Sequence, residues 1–159
     1  MDGLQMATIL SLDPFVSRFF KGFAWVDTEG LHYPSESPAL YILNTDVQAG
    51  PGEHWCAVLF EGNRMEFFDP FGNHPLLYNF EALLSSRTGV SEEIYNSACV
   101  QNLSSKVCGC HCVFYAYNRC RGSDLQSVLD LYDLGNLFKN DKMVENFVTM
   151  FGSGYKIKK

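Results

Sequence analysis

Two strand-like runs, residues 54–60 and 65–69, flank the tetrapeptide Glu61-Gly62-Asn63-Arg64. Both runs are rich in aromatic and aliphatic residues, and Gly beside Asn is the chemistry of a tight hairpin turn. No other pattern in the chain limits its fold as strongly, because a hairpin dictates which residues meet. With the turn centred between Gly62 and Asn63, Cys56 faces Asp69 and His54 faces Phe71. His54 and Asp69 then share one sheet face as diagonal neighbours, with Cα atoms roughly 7–8 Å apart. A slip of one residue would send them to opposite faces.

The remaining elements follow from periodicity and punctuation. Residues 4–20 carry apolar positions at helical spacing, interrupted at Asp13-Pro14. Residues 39–44 read as a buried strand between Pro38 and Asp46. Gly50-Pro51-Gly52 is a loop that delivers the chain to His54. Pro75 sits at the start of a helix expected over Leu76–Ser86, with Leu76, Leu77, Phe80, Leu83 and Leu84 on one face. Ile94–Gln101 reads as another strand and residues 109–119 as a core helix. Ser123 is placed to cap a helix from Asp124, with Gln126 completing a capping box. A last helix begins at Asn140 or Asp141 and ends at Gly152. No repeat or long linker divides the chain, so residues 1–159 are expected to form one domain.

The order His54, Asp69, Gln101, Cys108 supplies the roles that thiol-based acyl transfer requires. Cys108 is the candidate nucleophile, His54 the base and Asp69 the group that orients the imidazole. Gln101 can donate to an oxyanion together with the Cys108 backbone N–H. If residues 109–119 are helical, Cys108 sits at a helix N-terminus, where the dipole and an adjacent imidazolium favour the thiolate. Gly109 leaves room for a substrate backbone. Each residue has a plainer reading: a structural histidine, a turn-forming Asp-Pro, a surface amide, a small buried hydrophobe. Those readings need four separate coincidences in this order.

The competing chemistry is a metal centre. Cys108, Cys110, His111, Cys112 and Cys120 carry zinc-binding atoms, but the cluster lacks a paired C-x₂-C and a second ligand pair at finger-like distance. The expectation is therefore no metal, with Cys112 in the core and Cys110 on the helix flank. Tyr115, Tyr117 and Phe114 read as core rather than as a base-stacking platform. The net charge of −6 disfavours a broad nucleic-acid-binding surface, and the three lysines Lys156, Lys158 and Lys159 read as a solvated end. The first residues lack the pattern of a secretory signal, and no apolar run reaches membrane-spanning length. An intracellular protein with free thiols is expected.

His54-Trp55, Phe68-Asp69-Pro70-Phe71-Gly72, and Gln101 followed by Ser104 and Cys108-Gly109 resemble the adenovirus-type cysteine endoprotease (adenain) family. Asn44-Thr45 and the stretch from Tyr78-Asn79-Phe80-Glu81 to Leu83-Leu84 are also similar, and the resemblance runs from about Ala39 to Cys120. That family falls within the wider group of ubiquitin-like-protein-specific cysteine proteases. The resemblance implies an α+β fold, a mixed central sheet with helices on both sides, and a papain-like active site in a different chain order. It implies His54 as base, Asp69 as its acid partner, Gln101 in the oxyanion hole and Cys108 as nucleophile. It further implies cleavage of viral precursor polypeptides at glycine-containing sites during virion maturation, with Trp55 walling a cleft too narrow for a side chain. The alternative within the same group is a SUMO- or ubiquitin-like-protein deconjugating protease. The adenovirus enzymes are activated by a disulfide-linked capsid-precursor peptide and by viral DNA. Here no cysteine stands at the matching place, Cys99 lies too close to Gln101, and the balance is acidic. An enzyme that requires no cofactor is expected, with peptide or DNA activation not carried over. A monomer in a host nucleus or virion, with no membrane partner, completes the expectation.

Overall fold

The computed structural model describes residues 1–31 and 38–154; the lysines of the C-terminal tail lie outside them. Asp2 starts helix α1 (Gly3–Leu12) through a capping box with Gln5, which satisfies two otherwise orphaned donors. Asp13-Pro14 ends it. The buried Asp13 carboxylate accepts from the backbone of Phe15 and Val16 and pairs with Arg121 at 2.6 Å. A 3₁₀ turn (Val16–Arg18) then leads into β1 (Phe20–Trp25). The helical spacing read through residue 20 concealed this strand, because Phe19 and Phe20 satisfy either period.

Four more strands complete the sheet: β2 (Ala39–Asn44), β3 (Trp55–Glu61), β4 (Arg64–Phe68) and β5 (Glu92–Tyr95), in the order β1-β2-β3-β4-β5. The outer pairs are parallel and the two inner ones antiparallel, so the sheet is mixed. The β3–β4 hairpin has the expected register, from Glu61 opposite Arg64 to Ala57 opposite Phe68. Both sheet faces are covered. Leu40, Ile42, Leu59 and Phe68 pack beneath α1, α3 (Cys108–Arg119), α4 (Leu125–Leu129) and α5 (Leu137–Ser153). Tyr41, Leu43, Val58 and Phe67 pack on the other face with Phe80, Leu83 and Leu84 of the α2 region (Glu81–Ser85). This is an α+β architecture with helices on both sides of a mixed sheet. Glu66 of β4 fastens α3 to it, accepting from Tyr115 Oη at 2.6 Å and Arg119 Nε at 2.6 Å.

Several boundaries differ from the sequence reading. The helix expected over 76–86 is split, because Asn79 takes a left-handed conformation (φ 59°) between a 3₁₀ turn (Pro75–Tyr78) and α2. Leu76 and Leu77 consequently face solvent while Phe80 and Leu83 are buried. The strand expected over 94–101 stops at Tyr95, since the Asn96 side chain takes over both backbone groups of Asp69. Asp124, not Ser123, caps α4, and Gln126 bonds Asp130 instead of closing a capping box. Helix α5 starts earlier, behind the Asn136 cap, and Gly152 lies within it. Asn140 and Asp141 are therefore interior helix positions, and both are buried.

The turn after β4 sets the far end of the hairpin. Gly72 N–H donates to the Asp69 carbonyl, with Gly72 at φ +74°. A Cβ there would sit 2.8 Å from the Ala98 carbonyl carbon and the Ser97 oxygen, so left-handed strain adds to a backbone clash. Gly72→Ala is expected to destabilise the fold by at least about 1–2 kcal/mol, measured as a fall in the denaturant midpoint at unchanged m value; an unchanged midpoint would refute this account.

Candidate active site

Residues beyond the ends of the hairpin ladder meet as its register requires. Thr45 N–H donates to the His54 carbonyl, extending the β2–β3 ladder by one residue. The approach loop is held by Asn44, whose Oδ1 accepts from Asp46 and Glu53 backbone N–H groups, and by Asp46, whose Oδ2 accepts from Gly52 N–H. His54 stacks on Phe71, its partner in the extended register, with ring centroids 4.5 Å apart. His54 Nε2 lies 2.6 Å from Asp69 Oδ1. Nε2 being taken, Nδ1 is the ring nitrogen left to serve Cys108, whose thiol helps raise the imidazole.

Asp69 is fully buried and saturated. Phe71 N–H shares Oδ1 at 2.9 Å, while Oδ2 accepts from Asn73 N–H at 3.1 Å and from Tyr78 Oη at 2.7 Å. Tyr78 is a contact the sequence reading missed: the left-handed turn at Asn79, absent from a continuous helix, brings its hydroxyl to the carboxylate. Asn96 is a second, since its side chain bonds both the N–H and the carbonyl of Asp69. A polar residue just after a strand carries no sign of that role in sequence.

Cys108 occupies the first turn of α3, with Val107 at the N-cap. Burial alone would raise its pKa, but His54 and the backbone N–H groups of Trp55 and Gly109 outweigh it, and the thiol falls below its ordinary value. His54 moves the other way. Burial disfavours its charged form, yet Asp69 and Cys108 raise it from 6.5 to about 9. The Asp69 carboxyl, which burial would raise, is lowered by its bonds to His54, Phe71 and Tyr78. Together these shifts favour a thiolate–imidazolium pair.

The other thiols behave differently. Burial pushes Cys56 and Cys112 far up, Cys110 to about 11 and Cys120 to about 12. Cys112 donates to the Trp55 carbonyl from the core, as expected, but Cys110 is also buried and not a flank thiol. Among the described residues, the donor atoms that converge for a metal are those of His54, Cys56 and Asp69, not the Cys108–Cys120 cluster. Their geometry fits hydrogen bonding better: Asp69 is saturated, His54 Nε2 is committed to it, and Cys56 keeps its proton.

His54, Trp55, Phe71, Gln101 and Cys108 line one cavity of about 270 Å³. Gln101 is fully buried, and its backbone N–H and that of Val100 donate to the Pro70 carbonyl. Its Nε2 lies 3.2 Å from the Ser105 carbonyl and 3.1 Å from Ser105 Oγ, while Oε1 has no hydrogen-bond partner. Gln101 thus reaches the cavity, with its amide turned towards the 102–107 loop. Gly109 differs from expectation. The space left by its missing side chain is filled by Met6 of α1 and by Met1 ahead of that helix: a Cβ would lie 3.0 Å from Met6 Sδ and 3.5 Å from Met1 Cβ. Trp55 packs on Phe23 at 5.6 Å between ring centroids and forms a wall of the cavity.

No family model matches this sequence, and no curated protein matches it significantly. Among solved structures, the chain is similar to the selenomethionine form of the ASFV pS273R protease, at 22% identity and a TM-score of 0.44. The match covers 67% of this chain and 42% of that one, so the chain spans less than half the length of that protein. A likeness of that degree carries no chemistry across, and the site of this chain stands on its own geometry.

Proposed function

We propose that this protein is a cysteine endopeptidase that cleaves precursor polypeptides at glycine-containing sites. The observation that carries the reading is the alignment Asp69–His54–Cys108, with the carboxylate 2.6 Å from the imidazole and the thiol lowered by that imidazole. Cys108 Sγ attacks the scissile carbonyl and forms a tetrahedral oxyanion. The imidazolium of His54 gives its Nδ1 proton to the leaving amine, releasing it and leaving a thioester. Neutral His54 then takes a proton from water, whose oxygen attacks the thioester; the Cys108 thiolate departs with the acid product released, and His54 keeps the proton, restoring the ion pair. Asp69 holds the ring and stabilises its charged form throughout. The Cys108 N–H and Gln101 Nε2 serve the oxyanion, the latter after rotation of its amide away from Ser105. Trp55 supports the glycine preference as a wall that leaves little space beside the substrate backbone. The proposed enzyme is a monomer that requires no cofactor. Viral precursors in virion maturation are the proposed substrates, and a host nucleus or virion the proposed setting. No helix among the described residues is long and apolar enough to cross a membrane.

Cys108→Ala should lower turnover of a Leu-Ala-Gly-Gly-aminomethylcoumarin peptide by at least about 10⁴-fold while the far-UV circular dichroism spectrum stays the same. Retained turnover excludes the mechanism. Rapid capture of ubiquitin or SUMO C-terminal probes, without cleavage of virion-type peptides, would replace the substrate class by the deconjugating one.

The pH behaviour has a definite sign. His54 is raised, so its charged form is present below about 6.5 in any state and is lost in the folded protein only as pH rises through about 9. Cys108 is lowered, so its thiolate is lost as pH falls through that depressed value. Iodoacetamide should therefore alkylate Cys108 well below the ordinary thiol pKa, and in His54→Ala the profile should move up towards that of a free thiol. Superimposable profiles for the two proteins would disprove the ion pair.

A further inference from the structure

Helix α5 places two adjacent buried polar residues, Asn140 and Asp141, against the segment that carries Gln101. Asn140 Nδ2 donates to the Val100 carbonyl at 3.0 Å and to the Asp133 carbonyl at 3.0 Å, while its Oδ1 accepts from Asp133 N–H at 2.8 Å. Asp141 Oδ1 accepts from Asn102 N–H at 3.3 Å and from His111 Nε2 at 3.0 Å. The peptide groups on the two sides of Gln101 are thus each bonded to one of two consecutive α5 residues. Asp141 also ties that segment to His111, which lies one turn beyond Cys108 on α3.

Burial of these groups needs a reason beyond stability. Interior helix positions are ordinarily satisfied by apolar side chains, and buried polar groups cost free energy unless fully bonded. Here Asn140 bonds loop backbone at Val100 and Asp133, and Asp141 divides its oxygen between the loop at Asn102 and His111 of α3. The residue between them, Gln101, has an Oε1 with no hydrogen-bond partner among the described protein atoms, at the cavity that Cys108 also lines. A backbone clamped on both flanks lets the amide turn about its side-chain torsions without moving away from Cys108.

We propose that Asn140 and Asp141 are positioning residues, which hold the Val100–Asn102 backbone so that the Gln101 amide meets the oxyanion formed at Cys108. The assignment rests on the acyl-transfer reading of Cys108. It separates two chemistries at one sulfur. Alkylation by iodoacetamide needs the thiolate and forms no tetrahedral oxyanion, whereas peptide cleavage needs both. Disturbing the clamp therefore slows cleavage and leaves alkylation alone.

The test uses the full chain and three variants. Asn140→Asp keeps the side chain's size but replaces the donor to the Val100 carbonyl by an acceptor. Asp141→Leu removes the acceptor for Asn102 and His111. Asp141→Asn restores an oxygen there and is the rescue variant. With Leu-Ala-Gly-Gly-aminomethylcoumarin, kcat should fall about 10- to 100-fold in Asn140→Asp and Asp141→Leu. KM and the Cys108 alkylation rate should stay within about twofold of wild type, and Asp141→Asn should recover most of kcat. Should Asp141→Leu fail to fold, Asn140→Asp carries the comparison, with folding of each variant checked by thermal melting. An unchanged kcat in a folded variant overturns the assignment. So does a parallel loss of alkylation, which would place the effect on the thiolate. A wild-type protein that is alkylated at Cys108 yet hydrolyses no acyl substrate overturns the function itself, and this assignment with it.

Discussion

The hydrogen bond between His54 Nε2 and Asp69 Oδ1 is the contact on which the rest of the site depends. It spans the open end of the β3–β4 hairpin, so it exists only if the turn has the right register. Three donors besides the imidazole converge on the carboxylate, and each comes from the short segment that follows β4. That segment also offers the Pro70 carbonyl to Val100 and Gln101. One turn, Asp69-Pro70-Phe71-Gly72, therefore orients the imidazole by its carboxylate, stacks it by Phe71 and seats the glutamine by a carbonyl.

Burial works in two directions here. It would hold each cysteine protonated, and for Cys56 and Cys112 it does. At Cys108 the imidazole and two backbone N–H groups overcome it. What distinguishes the Cys108 thiol from its neighbours is thus not exposure but the direction from which positive charge reaches it. Cys110, two residues further along the same helix, turns away from His54 and keeps its proton up to about 11. The same enclosure strengthens the His54–Asp69 pair, because a low local dielectric magnifies an interaction that water would screen.

Much of this was legible in sequence where local rules decide it. The hairpin turn, the Asp13-Pro14 break, the β2 run and the start of α3 rest on turn chemistry and on proline, which act over a few residues. What was not legible depends on distant partners. The 76–86 helix breaks at Asn79, where a left-handed residue turns Tyr78 to Asp69, and nothing in an apolar face at helical spacing foretells that. Residues 96–101 have strand-like composition, yet Asn96 ends β5 by taking the backbone groups of Asp69. Asn140 and Asp141 looked like a helix start because Asn and Asp usually cap, whereas in the fold they lie inside α5 and bond a loop some forty residues earlier in the chain. Gly109 looked like space for a ligand, and Met1 and Met6 fill that space.

By itself, the sequence determined the hairpin register, and with it that His54 and Asp69 meet on one face, because the period of a strand and the chemistry of its turn leave a single pairing. It also put Cys108 at the start of a helix. Only the tertiary structure decided that the helix start lies beneath the imidazole, that Tyr78 and Asn96 complete the surroundings of Asp69, and that Gln101 is held from behind by α5. Those contacts join segments separated by tens of residues, and they form only when both faces of the sheet are buried and the helices have no other place to pack.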